Sequence, residues 1–77
     1  MKVFVFINTG LEKEREVLQR LRGTRSVQEV YMLYGTYDVV AVIKVDAMEN
    51  LNPIYKMITR IEGVQSATTM IAIEGKK

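Results

Sequence analysis

Few side chains in this 77-residue sequence can do covalent or acid–base chemistry. It holds no histidine and no cysteine, and its only serines are Ser26 and Ser66. A hydroxyl nucleophile needs a base to take its proton, and the usual imidazole is missing. Paired carboxylates are the other common device. The aspartates, Asp38 and Asp46, bound one apolar run; as a strand it rises ~3.3 Å per residue and holds them roughly 20 Å or more apart. That exceeds the reach of a carboxylate pair acting on one bond within a subunit. Structural zinc would also lack its usual ligands. The sequence therefore predicts no enzyme, no metal and no cofactor.

One carboxylate still calls for explanation. In Tyr34-Gly35-Thr36-Tyr37-Asp38, the acid stands at the mouth of the apolar run Val39 to Val45. A buried ion without a partner costs several kcal/mol, so such an acid normally has company. A cross-interface pair with Lys44 or an arginine, a turn cap and a bound ligand all remain open as partners. Gly35 reads first as a turn requirement, and Thr68 and Thr69 are common strand residues whatever else they do.

Periodicity and punctuation divide the chain into six segments that must position these groups. Lys2 to Ile7 reads as a strand and Leu11 to Leu21 as a helix, with Leu11, Val17, Leu18 and Leu21 inward and Thr9 as candidate cap. Gly23 ends that helix. Val27 to Tyr34 and Tyr37 to Val45 read as two strands joined by a two-residue Gly35-Thr36 hairpin of type II′, hence antiparallel. Leu51, Ile54, Ile58 and Ile61 follow helical spacing up to Gly63. Asp46 and Glu49 resemble a capping box, but Pro53 belongs in a first helical turn, so the regular helix starts near Asn50. Val64 to Ile73 is the last strand, and Glu74-Gly75-Lys76-Lys77 is expected to fray. The order βαββαβ implies an α+β, ferredoxin-like plait: one domain over residues 1–77, with a four-stranded antiparallel sheet carrying two helices on one face.

Alternation then sorts the strand residues by face. Tyr37, Val39, Ala41, Ile43 and Val45 form one apolar row, grouped with Val3, Val5 and Ile7 beneath the helices. The opposite row leaves Phe4, Phe6, Val40, Val42, Met70 and Met32 pointing outward. Antiparallel sheets that meet water are usually polar on that side, and patches this apolar are uncommon on monomers. The sequence thus predicts dimerisation through the sheet. Size agrees, because a chain this short buries only roughly 60% of its extended surface and has no disulfide to staple it.

Charge excludes little. The net charge is +2, and Glu12, Glu14 and Glu16 precede Arg15, Arg20, Arg22 and Arg25. Acid first and base last suits a helix dipole, so a solvated helix is favoured over a nucleic-acid stripe. The central strands also lack the aromatic and basic residues of an RNA-binding plait. The opening run Met1 to Ile7 is too short for a signal segment or membrane span, which leaves a cytoplasmic protein with no membrane partner as the default. Abundant Glu, Lys and Arg, with no Cys, His or Trp, hint at a thermophile.

Taken together, the βαββαβ order, the Gly-x-Tyr-Asp hairpin with its apolar strand, and a helix running into "IEGVQSATTMIAI" resemble the effector-binding domain of the leucine-responsive regulator (Lrp/AsnC) family. The resemblance spans Val3 to Ile73 and is sharpest at "YGTYDVV" and at the Ile-x-Gly-Val lead-in to the last strand. It implies a stand-alone effector domain without the family's DNA-binding domain, in which dimers assemble into rings and a small amino acid binds between them. Co-assembly with full-length Lrp/AsnC regulators follows, and direct DNA binding does not. On that reading Asp38 takes the ligand ammonium by a charge-assisted hydrogen bond. Backbone N–H groups around Gly35, Thr36 and Tyr37 take its carboxylate, Thr68 adds a hydroxyl, Thr69 is the weaker candidate, and Tyr34 or Tyr37 walls the pocket. A structural adaptor without ligand and an ACT-like amino-acid sensor are the alternatives.

Overall fold

The computed structural model describes residues 1–75. Lys76 and Lys77, part of the tail expected to fray, lie outside the described residues. The elements are β1 (Lys2–Thr9), α1 (Glu14–Arg22), β2 (Val27–Met32), β3 (Val39–Lys44), a single 3₁₀ turn (Met48–Asn50), α2 (Leu51–Thr59) and β4 (Val64–Ile71). They form one antiparallel sheet in the order β2-β3-β1-β4. This is the ferredoxin-like α+β plait that the sequence predicts.

Alternation along β1 and β3 decides the core. Val3, Val5, Ile7, Val39, Ala41 and Ile43 are fully buried beneath Val17, Leu18 and Leu21 of α1 and Leu51 and Ile58 of α2. Each such aliphatic side chain contributes about 1.5–3 kcal/mol on burial, so this layer dominates stability. Ile61 completes it, and Ile54 packs at its margin.

Several expectations are corrected. The first strand runs on to Thr9, which pairs with Val64, so Thr9 is a strand residue and caps no helix. The chain then turns: Gly10 donates to the Gly63 carbonyl at 2.8 Å, Lys13 donates to the Gly10 carbonyl, and α1 starts at Glu14. Leu11 is consequently 92% exposed instead of inward. Strand pairing wins because each ladder bond adds to an existing sheet, whereas a new helical turn must be nucleated. The second helix does start where Pro53 requires: Asn50 precedes its first residue, Leu51, and Pro53 sits in the first turn. The last strand stops at Ile71.

The hairpin differs in detail as well. Met32 faces Val39, the register a Gly35-Thr36 tip requires, but the ladder ends there, with one further bond from Leu33 N–H to the Asp38 carbonyl. Leu33 to Asp38 form a bent connection instead of a closed two-residue turn. Because directly opposed residues share a face, Met32 lies on the helix side with Val39. Its expected outward position belongs to Tyr31, opposite Val40. A bulge near Val27 to Glu29 does not alter this. Tyr37 also departs from its expected row: its ring lies 5.2 Å from that of Phe6, on the outer face.

Candidate functional site

The outer face of the sheet is built by cross-strand pairs. Phe4 opposes Val42 and Met70, and Phe6 opposes Val40 and Thr68. The rings of Phe4 and Phe6 stack at 6.5 Å, and Tyr37 continues the row. These aromatics shelter Val40 and Val42, which are buried, while Met70 and Tyr31 are about half exposed at 53% and 50%. The face is therefore apolar and partly self-covered, with open edges on β2 and β4. At the β2 edge the Tyr31 hydroxyl donates to the Glu29 carboxylate. That bond, reinforced by the negative charge, holds the Tyr31 phenol above its ordinary pKa of 10.0.

Asp38 stands at one end of this face, and its company comes from within the chain. Its Oδ2 accepts the Thr9 backbone N–H at 2.8 Å and the Thr9 hydroxyl at 3.3 Å. Its own N–H donates to the Ile7 carbonyl at 2.9 Å. The carboxylate thus ties the start of β3 to the end of β1, where the ladder has shifted register between Asn8 and Thr9. Thr9 is itself buried, and Glu14 of α1 approaches its hydroxyl at 3.5 Å. Among the described residues both side-chain bonds to Asp38 fall on Oδ2.

Beside it, the tip of the connection is open. Tyr34, Gly35 and Thr36 are exposed. Gly35 has φ +147°, a conformation L side chains rarely adopt, yet a Cβ there would meet nothing within 4 Å. The glycine answers a backbone demand and leaves free space beside it. Among the described residues the N–H groups of Thr36 and Tyr37 donate to no acceptor in the chain. Thr68 is exposed on the outer face opposite Phe6. Thr69 opposes Val5, faces the helix side and lines a groove with Met48, Leu51 and Tyr55. The structure therefore brings Asp38, Gly35, Thr36 and Tyr37 to one end of the sheet and places Thr69 on the other face.

Thr9 is the residue that sequence reasoning missed. Its signal was positional: in a βαββαβ plait the end of the first strand lies beside the start of the third, so a polar residue there can meet Asp38. Among the described residues no cluster of His, Cys, Asp or Glu is placed to hold a metal, and no helix is long and apolar enough to cross a membrane.

Comparison with known proteins puts this arrangement in context. The profile described as the Lrp/AsnC ligand binding domain matches residues 2–77. The HTH-type transcriptional regulator FL11 of Pyrococcus furiosus is 35% identical over 74 residues, which cover 96% of this chain and 49% of FL11. The chain thus spans about half the length of the curated relatives it matches. Among solved structures, the hypothetical protein PHS023 from Pyrococcus horikoshii superposes with TM-score 0.85 at 33% identity, covering 96% of this chain and 90% of that one. The transcriptional regulator NMB0573 of Neisseria meningitidis, solved as its L-Met complex, shares the fold with TM-score 0.85 at 18% identity, over 99% of this chain and 51% of that one.

Proposed function

The chain belongs to the Lrp/AsnC ligand binding domain family, and from that premise we propose that it is a non-enzymatic module that binds a small amino acid and oligomerises in transcriptional regulation. The observation that carries this reading is Asp38 beside an open backbone turn, at the end of an apolar sheet face. Thr9 holds Oδ2 and so orients the carboxylate, which leaves Oδ1 for a ligand ammonium. The N–H groups of Thr36 and Tyr37 are available to the ligand carboxylate, and Gly35 lets it approach. Thr68 supplies a hydroxyl and Tyr34 a wall, with Thr69 reachable only from the helix side.

Self-association is part of the proposal. Phe4, Phe6, Val40, Val42 and Met70, with Tyr31 in place of Met32, form the contact between two sheets. Pairs then build rings, and a second copy closes the ligand site. Longer regulators match this chain over about half their length, so mixed assembly with them is proposed as the route to gene control. The L-Met bound by the Neisseria regulator nominates the ligand class.

A structural adaptor without ligand is the second reading, favoured by one fact: Thr9 already satisfies Asp38. Thermal denaturation in the presence of each standard amino acid separates the two. A ligand at roughly one hundred times its Kd adds about 2.7 kcal/mol to the folded assembly. Asp38→Asn keeps an acceptor for Thr9 but removes the charge. The sensor reading expects one or more amino acids to raise the melt, and expects this substitution to abolish the rise; a flat screen leaves the adaptor.

A further inference from the structure

Arg20 of α1, Lys56 of α2 and Arg60 just past the end of α2 line one groove, although at least 36 positions separate the first from the other two. Arg20 and Lys56 lie in the last turns of their helices and Arg60 just beyond, where a cation suits a helix dipole. The fold adds that they converge. Thr24, Pro53, Met57 and Ile61 complete the groove, whose volume is about 530 Å³, within the range of small-molecule sites.

The three cations are not spoken for. Glu16 and Glu62 line an adjoining groove on the other side of Arg20, but the only ion pair among the described residues joins Lys13 to Glu16. Three carbonyls at the end of α1, those of Gln19, Arg20 and Leu21, already accept hydrogen bonds. Thr24 donates its hydroxyl to the Arg20 carbonyl at 2.9 Å and its N–H to the Leu21 carbonyl, and Gly23 donates to Gln19. The groove therefore offers positive charge without a competing internal anion. Its location matters too: the helix layer lies opposite the outer sheet face, so pairing of sheets leaves this groove open.

We propose that the groove binds a small phosphorylated ligand with an apolar or aromatic body, a nucleotide in class. Arginine presents a planar fork of donors that matches phosphate oxygens two at a time, and Lys56 adds a point charge. The apolar floor of Pro53, Met57 and Ile61 selects against a bare polyanion and favours a ligand with a flat apolar part. A nucleic-acid backbone would use the cations and waste that floor. The site is independent of the amino-acid reading at Asp38.

Titration calorimetry on the full chain tests this with ADP, inorganic pyrophosphate, adenosine and a short DNA duplex as probes. ADP is expected to bind at one site per chain, more tightly than pyrophosphate or adenosine, and to weaken as salt rises. Arg20→Ala and Arg60→Ala should each weaken ADP at least about tenfold, the usual worth of a charge-assisted contact. Both side chains are exposed, so the fold survives their loss. Arg25→Ala removes one exposed charge elsewhere and Asp38→Asn alters the other site; both should leave ADP binding unchanged. Absence of ADP binding, an equal loss in Arg25→Ala, or duplex binding that the groove variants abolish while ADP stays silent would each overturn the proposal.

Discussion

The two faces of the sheet have nearly the same apolar content and opposite fates. On the helix side, Val3, Val5, Ile7, Val39, Ala41 and Ile43 vanish from solvent under α1 and α2. On the outer side, Phe4, Phe6 and Tyr37 cover Val40 and Val42, while Met70 and Tyr31 stay half exposed. The first face is closed by covalent continuity, since the loops deliver both helices to it. The second can be closed only by its own rings or by another molecule. Thr9 and Asp38 form the seam, a buried residue at the end of β1 and a half-buried one just before β3.

Substitutions that act on one face and spare the other break this contrast most clearly. The largest effect is expected from Ile43→Ala, which opens a cavity in the closed face and should cost about 2–5 kcal/mol in urea unfolding. Met70→Asp comes next. It sets a charge on the outer face at a half-exposed site, so the isolated fold should keep its urea midpoint at high dilution. Self-association, followed by sedimentation velocity, should weaken by about 2 kcal/mol or more. An unchanged sedimentation profile would remove the sheet from the proposed interface.

Asp38→Ala acts on the seam and should cost about 1–3 kcal/mol, because the Thr9 N–H loses its acceptor in a half-buried setting. Thr9→Val retains that N–H and removes only the weaker hydroxyl bond, so its cost should be smaller, about 0.5–1.5 kcal/mol. Equal losses in the two variants would show that the hydroxyl, not the backbone N–H, is the main tie. The smallest effect concerns Tyr31 on the outer edge. Its phenol should titrate above 10.0 in ultraviolet absorbance, and Glu29→Gln should bring it back toward that value. A raised folded-state pKa means that this small contribution to stability is present below the ordinary tyrosine value and disappears as pH rises through the folded one. Running the titration in Met70→Asp keeps any partner away from the edge.

Much of the fold was legible because period is a local property. Runs such as Val39 to Val45 and the spacing of Leu51, Ile54, Ile58 and Ile61 declare strand and helix without reference to the rest of the chain. Errors gathered at the joints. Leu11 satisfied helical spacing, yet the β1–β4 ladder carried the strand on to Thr9 and left no room for a helix to begin there. Met32 opposes Val39, a pairing that the Gly35-Thr36 hairpin itself implies, so its helix-side position was open to sequence. Tyr37 left its row because the irregular Leu33 to Asp38 connection breaks alternation. At the candidate site, Asp38 and Gly35 could be singled out as unusual residues in their setting. Thr9, Asp38's actual partner, could not, because hydrogen bonds between residues 29 positions apart leave no periodic trace.

Residue order alone determined that the chain makes a βαββαβ plait, that it holds no histidine or cysteine, and that both sides of its sheet are apolar. These follow from side-chain type and from alternation, which act over a few residues. Only the tertiary structure decided who satisfies Asp38, which aromatic rings guard the outer valines, and that Arg20 meets Lys56 and Arg60 across the helix layer. Such contacts depend on register and on how helices settle against the sheet, and packing sets both only once the whole core has closed.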